Sequence, residues 1–246
     1  MNTNDLIFEG MISIRAIIES GSRRIHRLYY DNKRAQKNKK ELAWLGHRAE
    51  EWGFEITLCD GEEISALCSG TTHGGVAALC GERKLLPPTA DDIPESGFFM
   101  MLEGIEDPFN FGFAVRSAYA AGSDAILLPE RNWMSSAGTV CRSSAGASEK
   151  IPMFTASDSE VIALFKQKGY RVVCADMPDS KGLWESDLKK PLLLIIGGEK
   201  RGISRAVLDT ADAKVRIDYG RDFPEALSAA SASAILAFEV MRQNRI

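Results

Sequence analysis

From residue 98 onward, short and almost purely apolar runs alternate with segments of helical spacing, and this pattern limits the fold more than any other feature. The runs are FFMMLEG (98–104), DAILLP (124–129), YRVVCA (170–175), PLLLIIGG (191–198) and KVRI (214–217). Strands with no polar side are buried on both faces, which predicts a mainly parallel sheet covered by helices. Helices are expected from about Asn110 to Ala121, over VIALFKQKG (161–169) and after Gly202. A last helix places Leu227, Ser231, Ala234, Ile235, Phe238 and Met241 on one face.

The first half alternates differently. Met11, Ile14, Ile17 and Ile18 form a helical stripe that stops at Gly21, and IHRLYY (25–30) reads as a strand. A helix over 39–52, a strand FEITLC (54–59), a short helix EEISALC (62–68) and a strand GVAALC (75–80) complete a small α/β sandwich. LPPTADDIPESG (86–97) carries three prolines and three acids, which suits a linker. The expected organisation is therefore a domain over 1–88, a linker over 89–97 and a second domain over 98–246.

Composition excludes several classes. No apolar run reaches the length needed to cross a membrane, since the longest, Pro191–Ile196, is strand-sized. The start of the chain, MNTNDLIFEG, lacks a basic-then-apolar secretory pattern. Five cysteines, odd in number and without a C-x-x-C pair, argue against disulfides or zinc and lead us to expect a cytoplasmic protein that holds no metal. None of the 21 glycines stands in G-x-G spacing, which removes the dinucleotide-binding fingerprint. GGEKRGIS (197–204) nearly fits a phosphate-binding loop, but Ile203 occupies the lysine position. Neither H-E-x-x-H nor G-x-S-x-G is present.

The net charge of −4 does not point to nucleic acid, but its distribution does. Arg23, Arg24, Arg27, Lys33, Arg34, Lys37, Lys39 and Lys40 face a single acid, Asp31, within eighteen residues. Clustered cations neutralise phosphates, and Tyr29 and Tyr30 inside the run would either stack on bases or end a core strand. These eight cations are the candidate RNA-binding residues. A solvated helix face is the alternative.

Three segments carry recognisable motifs. The first holds Asp107, Pro108, Asn110, Gly112, Arg116, Ser117 and Ala118, with Ala121 and Gly122 beyond. The second is Gly197, Gly198, Glu199 and Gly202 after an apolar strand. The third runs from Arg216 through Ile217, Leu227 and Ser228 into the last helix. Together they resemble the signature motifs of the SpoU/TrmH RNA methyltransferases of the SPOUT superfamily. SSAGASEKIP (143–152) resembles the small-residue segment between the first two motifs, and the first half is similar to the family's ribosomal-protein-like RNA-binding domain. The resemblance covers nearly the whole chain.

It implies a trefoil-knotted C-terminal domain, S-adenosylmethionine as cofactor, rRNA or tRNA as substrate, transfer to a ribose 2′-hydroxyl, and a homodimer. It further implies cofactor contacts at Gly197, Gly198, Gly202, Ile217 and Leu227, and reaction chemistry at Asn110, Arg116, Glu199 and Ser228. Each has a plainer role available: Asn110 as a helix cap, Arg116 paired with an acid, and Glu199 near a helix start. Where relatives read S-L-N-x-S, this chain reads Ala226, Leu227, Ser228, Ala229, Ala230 after a loop one residue longer. That departure leaves two alternatives, an RNA-binding member without transfer activity and an acceptor that is a base nitrogen.

Overall fold

The computed structural model describes residues 5–70, 72–129, 136–156 and 158–245. The chain divides into two compact units, residues 1–84 with 132–150, and residues 85–131 with 151–246.

The first unit is built on β1 (Leu6–Glu9), α1 (Met11–Ser20), β2 (Ile25–Asp31), α2 (Asn32–Lys37), α3 (Lys39–Trp52), β3 (Glu55–Cys59), α4 (Gly61–Leu67) and β4 (Val76–Cys80). Its sheet has the order β1-β4-β2-β3, with β4 antiparallel to both β1 and β2, and β2 parallel to β3. Gly21 and Gly53 end α1 and α3 in the left-handed conformation, which costs glycine nothing. Phe8, Ile14, Ile17, Leu28, Tyr30 and Leu45 are fully buried between helices and sheet.

The second unit comprises β5 (Phe98–Glu103), α5 (Pro108–Ala120), β6 (Ala125–Leu128), β7 (Met153–Thr155), α8 (Asp158–Gln167), β8 (Arg171–Ala175), β9 (Lys181–Gly182), β10 (Leu192–Gly197), α9 (Arg205–Leu208), β11 (Ala213–Arg216) and α10 (Ala229–Gln243). All six strand pairings of this sheet, ordered β7-β6-β5-β10-β8-β11-β9, are parallel. The apolar runs bury both faces, as their composition requires: every residue from Phe98 to Leu102 and from Leu192 to Ile196 is buried. Phe99, Phe165 and Tyr170 meet edge-on at ring separations of 4.9, 5.7 and 5.1 Å. Each such pair contributes about 0.5–1.5 kcal/mol beyond its buried area.

Packing departs from the sequence reading in three places. Residues expected in the second domain form α6 (Ala137–Ser143) and α7 (Ala147–Lys150), and these pack in the first unit. Cys141 is buried among Phe8 and Ile14. Glu9, itself buried, pairs with Arg142 and accepts from the amides of Ser69 at 2.8 Å and Gly70 at 3.0 Å. Apolar burial and these ion pairs override a division made at the linker. The helix after Gly202 is only Arg205–Leu208. Finally, α10 buries Ala229, Ser233, Leu236, Ala237 and Val240, whereas Ile235 and Phe238 of the expected face remain exposed.

Candidate active site

The strand ends determine where a ligand can enter. In an open parallel sheet, clefts form beyond the carboxyl ends of the strands. Ala175, Gly197 and Arg216 are the last residues of β8, β10 and β11, and all three line one cavity of about 300 Å³. Ile196, Ile217, Leu227 and Leu236 give it apolar walls, and Asp176, Glu199 and Glu225 give it acidic ones. Gly197, Gly198, Gly202, Ile217 and Leu227, the five residues expected at a cofactor, all line it.

The loop after β10 is held tightly. The Gly198 amide donates to the Glu103 carbonyl at 2.7 Å, and the Gly202 amide donates back to the Gly198 carbonyl at 2.9 Å. A side chain on Gly198 would begin 2.0 Å from the Gly104 carbonyl oxygen. One on Gly197 would begin 2.4 Å from the Gly202 carbonyl carbon. These glycines therefore allow backbone to meet backbone, rather than only allowing backbone to meet a ligand.

Glu199 joins the three motifs. Its Oε1 accepts from Asn110 Nδ2 at 3.0 Å and from the Ala229 amide at 3.1 Å. The second contact places a carboxylate on a free amide in the first turn of α10, which the helix dipole favours. Asn110 is thus not the cap of α5. Asp107 takes that role, accepting from the Asn110 amide at 2.7 Å, with Pro108 at the first helical position. Ser228 caps α10, its Oγ accepting from the Ser231 amide at 3.2 Å. Such caps are worth about 1 kcal/mol, so the serine in the third motif has a structural task.

Arg116 lies six residues beyond Asn110 on α5, is exposed, and has no partner among the described residues. It does not line the cavity. It shares a helical stripe with Phe109 and Phe113, both about half exposed.

The basic segment separates into two groups. Arg23 is buried over the Phe8 ring and pairs with Glu149 at 2.9 Å, both side chains being almost inaccessible. It is a core ion pair, which corrects its expected role at RNA. Arg34 is half-buried and held by Glu41 at 2.7 Å. That pairing depresses the Glu41 carboxyl and raises the guanidinium. Tyr30 is fully buried, its hydroxyl donating to Glu41 at 2.7 Å, so it is a core residue and not a stacking surface. Arg27 pairs with Glu55 across β2 and β3 on the exposed face. The side chains of Arg24, Lys33, Lys37, Lys39 and Lys40 are exposed and without a partner among the described residues.

Asp176, Met177, Tyr219, Phe223 and Leu236 were not singled out from sequence, yet all line the cavity. Asp176 and Met177 follow directly on β8, so the strand-end rule would have found them.

The model of the SpoU rRNA methylase family matches residues 97–238, more than half of the chain, and that of an RNA 2′-O ribose methyltransferase substrate-binding domain matches residues 7–85. The chain belongs to the SpoU methylase family. It is 26% identical over 241 residues to the 23S rRNA (guanosine-2′-O-)-methyltransferase RlmB of Ralstonia nicotianae, covering 96% of this chain and 95% of that one. The RlmB of Shewanella oneidensis is 27% identical over the full length of both chains. In fold, the chain matches the AdoMet-bound rRNA methyltransferase of Sinorhizobium meliloti with a TM-score of 0.83 at 24% identity, covering 99% of this chain and 89% of that one. The protein is an S-adenosylmethionine-dependent RNA methyltransferase.

The residues at the cavity fit that cofactor. Its volume lies at the lower end of the range for small-molecule sites. The apolar walls suit an adenine ring, the loop backbone at Gly197–Gly202 offers hydrogen-bonding groups, and the three carboxylates suit a cationic sulfonium. Among the described residues no cluster of His, Cys, Asp and Glu could hold a metal, and no helix is long and apolar enough to cross a membrane.

Proposed function

We propose that this protein methylates a ribose 2′-hydroxyl of ribosomal RNA, with Glu199 organising the site and Arg116 acting on the acceptor. The observation that carries this reading is the Asn110–Glu199–Ala229 network, which joins the three motifs at the edge of the cavity despite the altered third motif. It also weighs against a purely RNA-binding role, because the motif that departs from pattern keeps its place through a backbone amide.

Gly197, Gly198, Gly202, Ile217 and Leu227 would hold the cofactor, within the knotted chain path that the family resemblance implies. When bound, the cofactor supplies an electrophilic methyl group on a sulfonium. Arg116 would then provide a fixed positive charge where the ribose oxygen becomes anionic as its proton passes to solvent water. A guanidinium is a poor base, so its contribution is electrostatic. Because Arg116 shares its stripe with exposed Phe109 and Phe113, the protein works as a homodimer in which that stripe is covered and Arg116 lies at the interface. Exposed Ile235 and Phe238 on α10 extend the same need for a partner surface. The RlmB relatives act on a guanosine of 23S rRNA, and we extend that substrate to this protein. Mapping of ribose methylation in total RNA should show one position unmethylated in cells lacking the protein. An unchanged map would contradict the proposal.

The exposed part of the basic segment serves the same substrate. Replacing Arg24, Lys37, Lys39 and Lys40 together by glutamate should weaken RNA binding, flatten its salt dependence and leave the melting temperature unchanged. Arg23→Ala should behave in the opposite way, costing about 3–5 kcal/mol of stability because Glu149 would remain buried without its ion-pair partner. Filter binding across a salt series and thermal melts read both outcomes. Unaltered affinity in the fourfold variant would place the RNA surface elsewhere.

A further inference from the structure

The loop between β11 and α10 carries Tyr219 and Phe223, and both side chains line the cavity. Phe223 nevertheless remains 54% exposed. A ring left half in water forgoes much of the stabilisation its burial would bring, so its position needs another reason.

The loop that carries it is held in place. The Tyr219 hydroxyl accepts from the Leu227 amide at 3.0 Å, closing the loop on itself. The two rings lie 6.2 Å apart and tilted by 47°. Pro224 restricts the backbone of the residue before it to extended conformations. Two residues earlier, Arg221 is exposed and has no partner among the described residues. An exposed aromatic ring at the cavity and, two residues before it on the same loop, an uncommitted cation are therefore both open to a ligand.

We propose that Phe223 is a stacking platform for an RNA base beside the nucleotide that receives the methyl group, with Arg221 contacting the adjoining phosphate. The proposal rests on the reading of this protein as an RNA methyltransferase. RNA is recognised chiefly where its bases are unstacked, and such bases pack on aromatic rings and guanidinium planes. The solvent-facing ring at the rim favours RNA over the adenine of the cofactor, which has the apolar interior formed by Ile196, Leu227 and Leu236.

The test uses the full chain with undermodified rRNA and measures three quantities: cofactor affinity by calorimetry, RNA affinity by filter binding, and single-turnover transfer. Phe223→Leu keeps apolar bulk and removes the flat face, and Phe223→Trp keeps a flat face. Base–aromatic stacking of about 1–3 kcal/mol corresponds to between about fivefold and about 150-fold in affinity. Phe223→Leu should therefore weaken RNA binding on the order of tenfold, Phe223→Trp should hold it at or above wild type, and cofactor affinity should be the same in both. Arg221→Gln should weaken RNA binding further and reduce its salt dependence. Wild-type RNA affinity in Phe223→Leu would overturn the proposal. So would loss of cofactor affinity, which would assign the ring to the adenine. If the wild type transfers no methyl group and Phe223→Leu still binds RNA more weakly, the enzymatic reading fails while the platform stands. If transfer proceeds and Phe223→Leu matches wild type in RNA affinity and rate, the platform fails while the enzymatic reading stands.

Discussion

Replacing Gly198 by valine is expected to abolish S-adenosylmethionine binding and to lower the melting temperature of the ligand-free protein. A side chain here would begin 2.0 Å from the Gly104 carbonyl oxygen and 2.5 Å from its carbon. Both are backbone atoms and cannot swing aside. The hydrogen bond from the Gly198 amide to Glu103, which ties the β10 loop to the end of β5, would break as the loops part. Overpacking of this kind costs typically about 1–3 kcal/mol. The cavity wall formed by Gly197–Gly202 moves with it. In wild type, cofactor at a hundredfold excess over its Kd should stabilise the fold by about 2.7 kcal/mol, read as a rise in melting temperature. Gly198→Val should show no rise. Gly220→Ala is the control, since a side chain there meets nothing within 4 Å, and it should melt and bind as wild type. A normal thermal shift in Gly198→Val would remove this loop from the cofactor site.

Arg116→Ala should leave cofactor affinity within about twofold of wild type and slow single-turnover transfer by on the order of 10²–10³-fold. Arg116 is exposed and unpaired among the described residues, so its removal breaks no contact within the chain. Arg116→Lys should recover little, because one ammonium does not reproduce a planar fork of donors. Equal rates in wild type and Arg116→Ala would contradict the proposed chemistry.

The sheet of the second unit was legible because its runs are apolar without alternation, and a strand such as LLLII has no other stable setting than the middle of a covered sheet. Gly197, Gly198, Gly202, Ile217 and Leu227 of the cavity were legible through motifs rather than periodicity, whereas Asp176 and Met177 belong to no motif and were not. Other features were not, for physical reasons. β1 has four residues and no length over which a period can show. The role of Arg23 depends on Glu149, 126 residues away, and a charge run in sequence does not reveal which of its members fold inward. α6 and α7 follow the apolar strand β6 in sequence, yet Cys141, Arg142 and Glu149 find their partners in the first unit. The outer face of α10 reads as apolar as the inner one, since Ile235 and Phe238 carry no mark that distinguishes a face awaiting a partner from a core face. The family resemblance marks Gly198 as a cofactor contact, and only the structure shows Gly104 pressed against it.

Methyl transfer to a ribose oxygen of RNA can be read from the product itself. The most direct measurement incubates purified protein with labelled S-adenosylmethionine and rRNA from cells lacking the protein, then digests the RNA to nucleosides and locates the label. Label is expected in a single 2′-O-methylated nucleoside, and none in the Gly198→Val reaction. Label on a base nitrogen, or none from a wild-type protein that binds both cofactor and RNA, would contradict it.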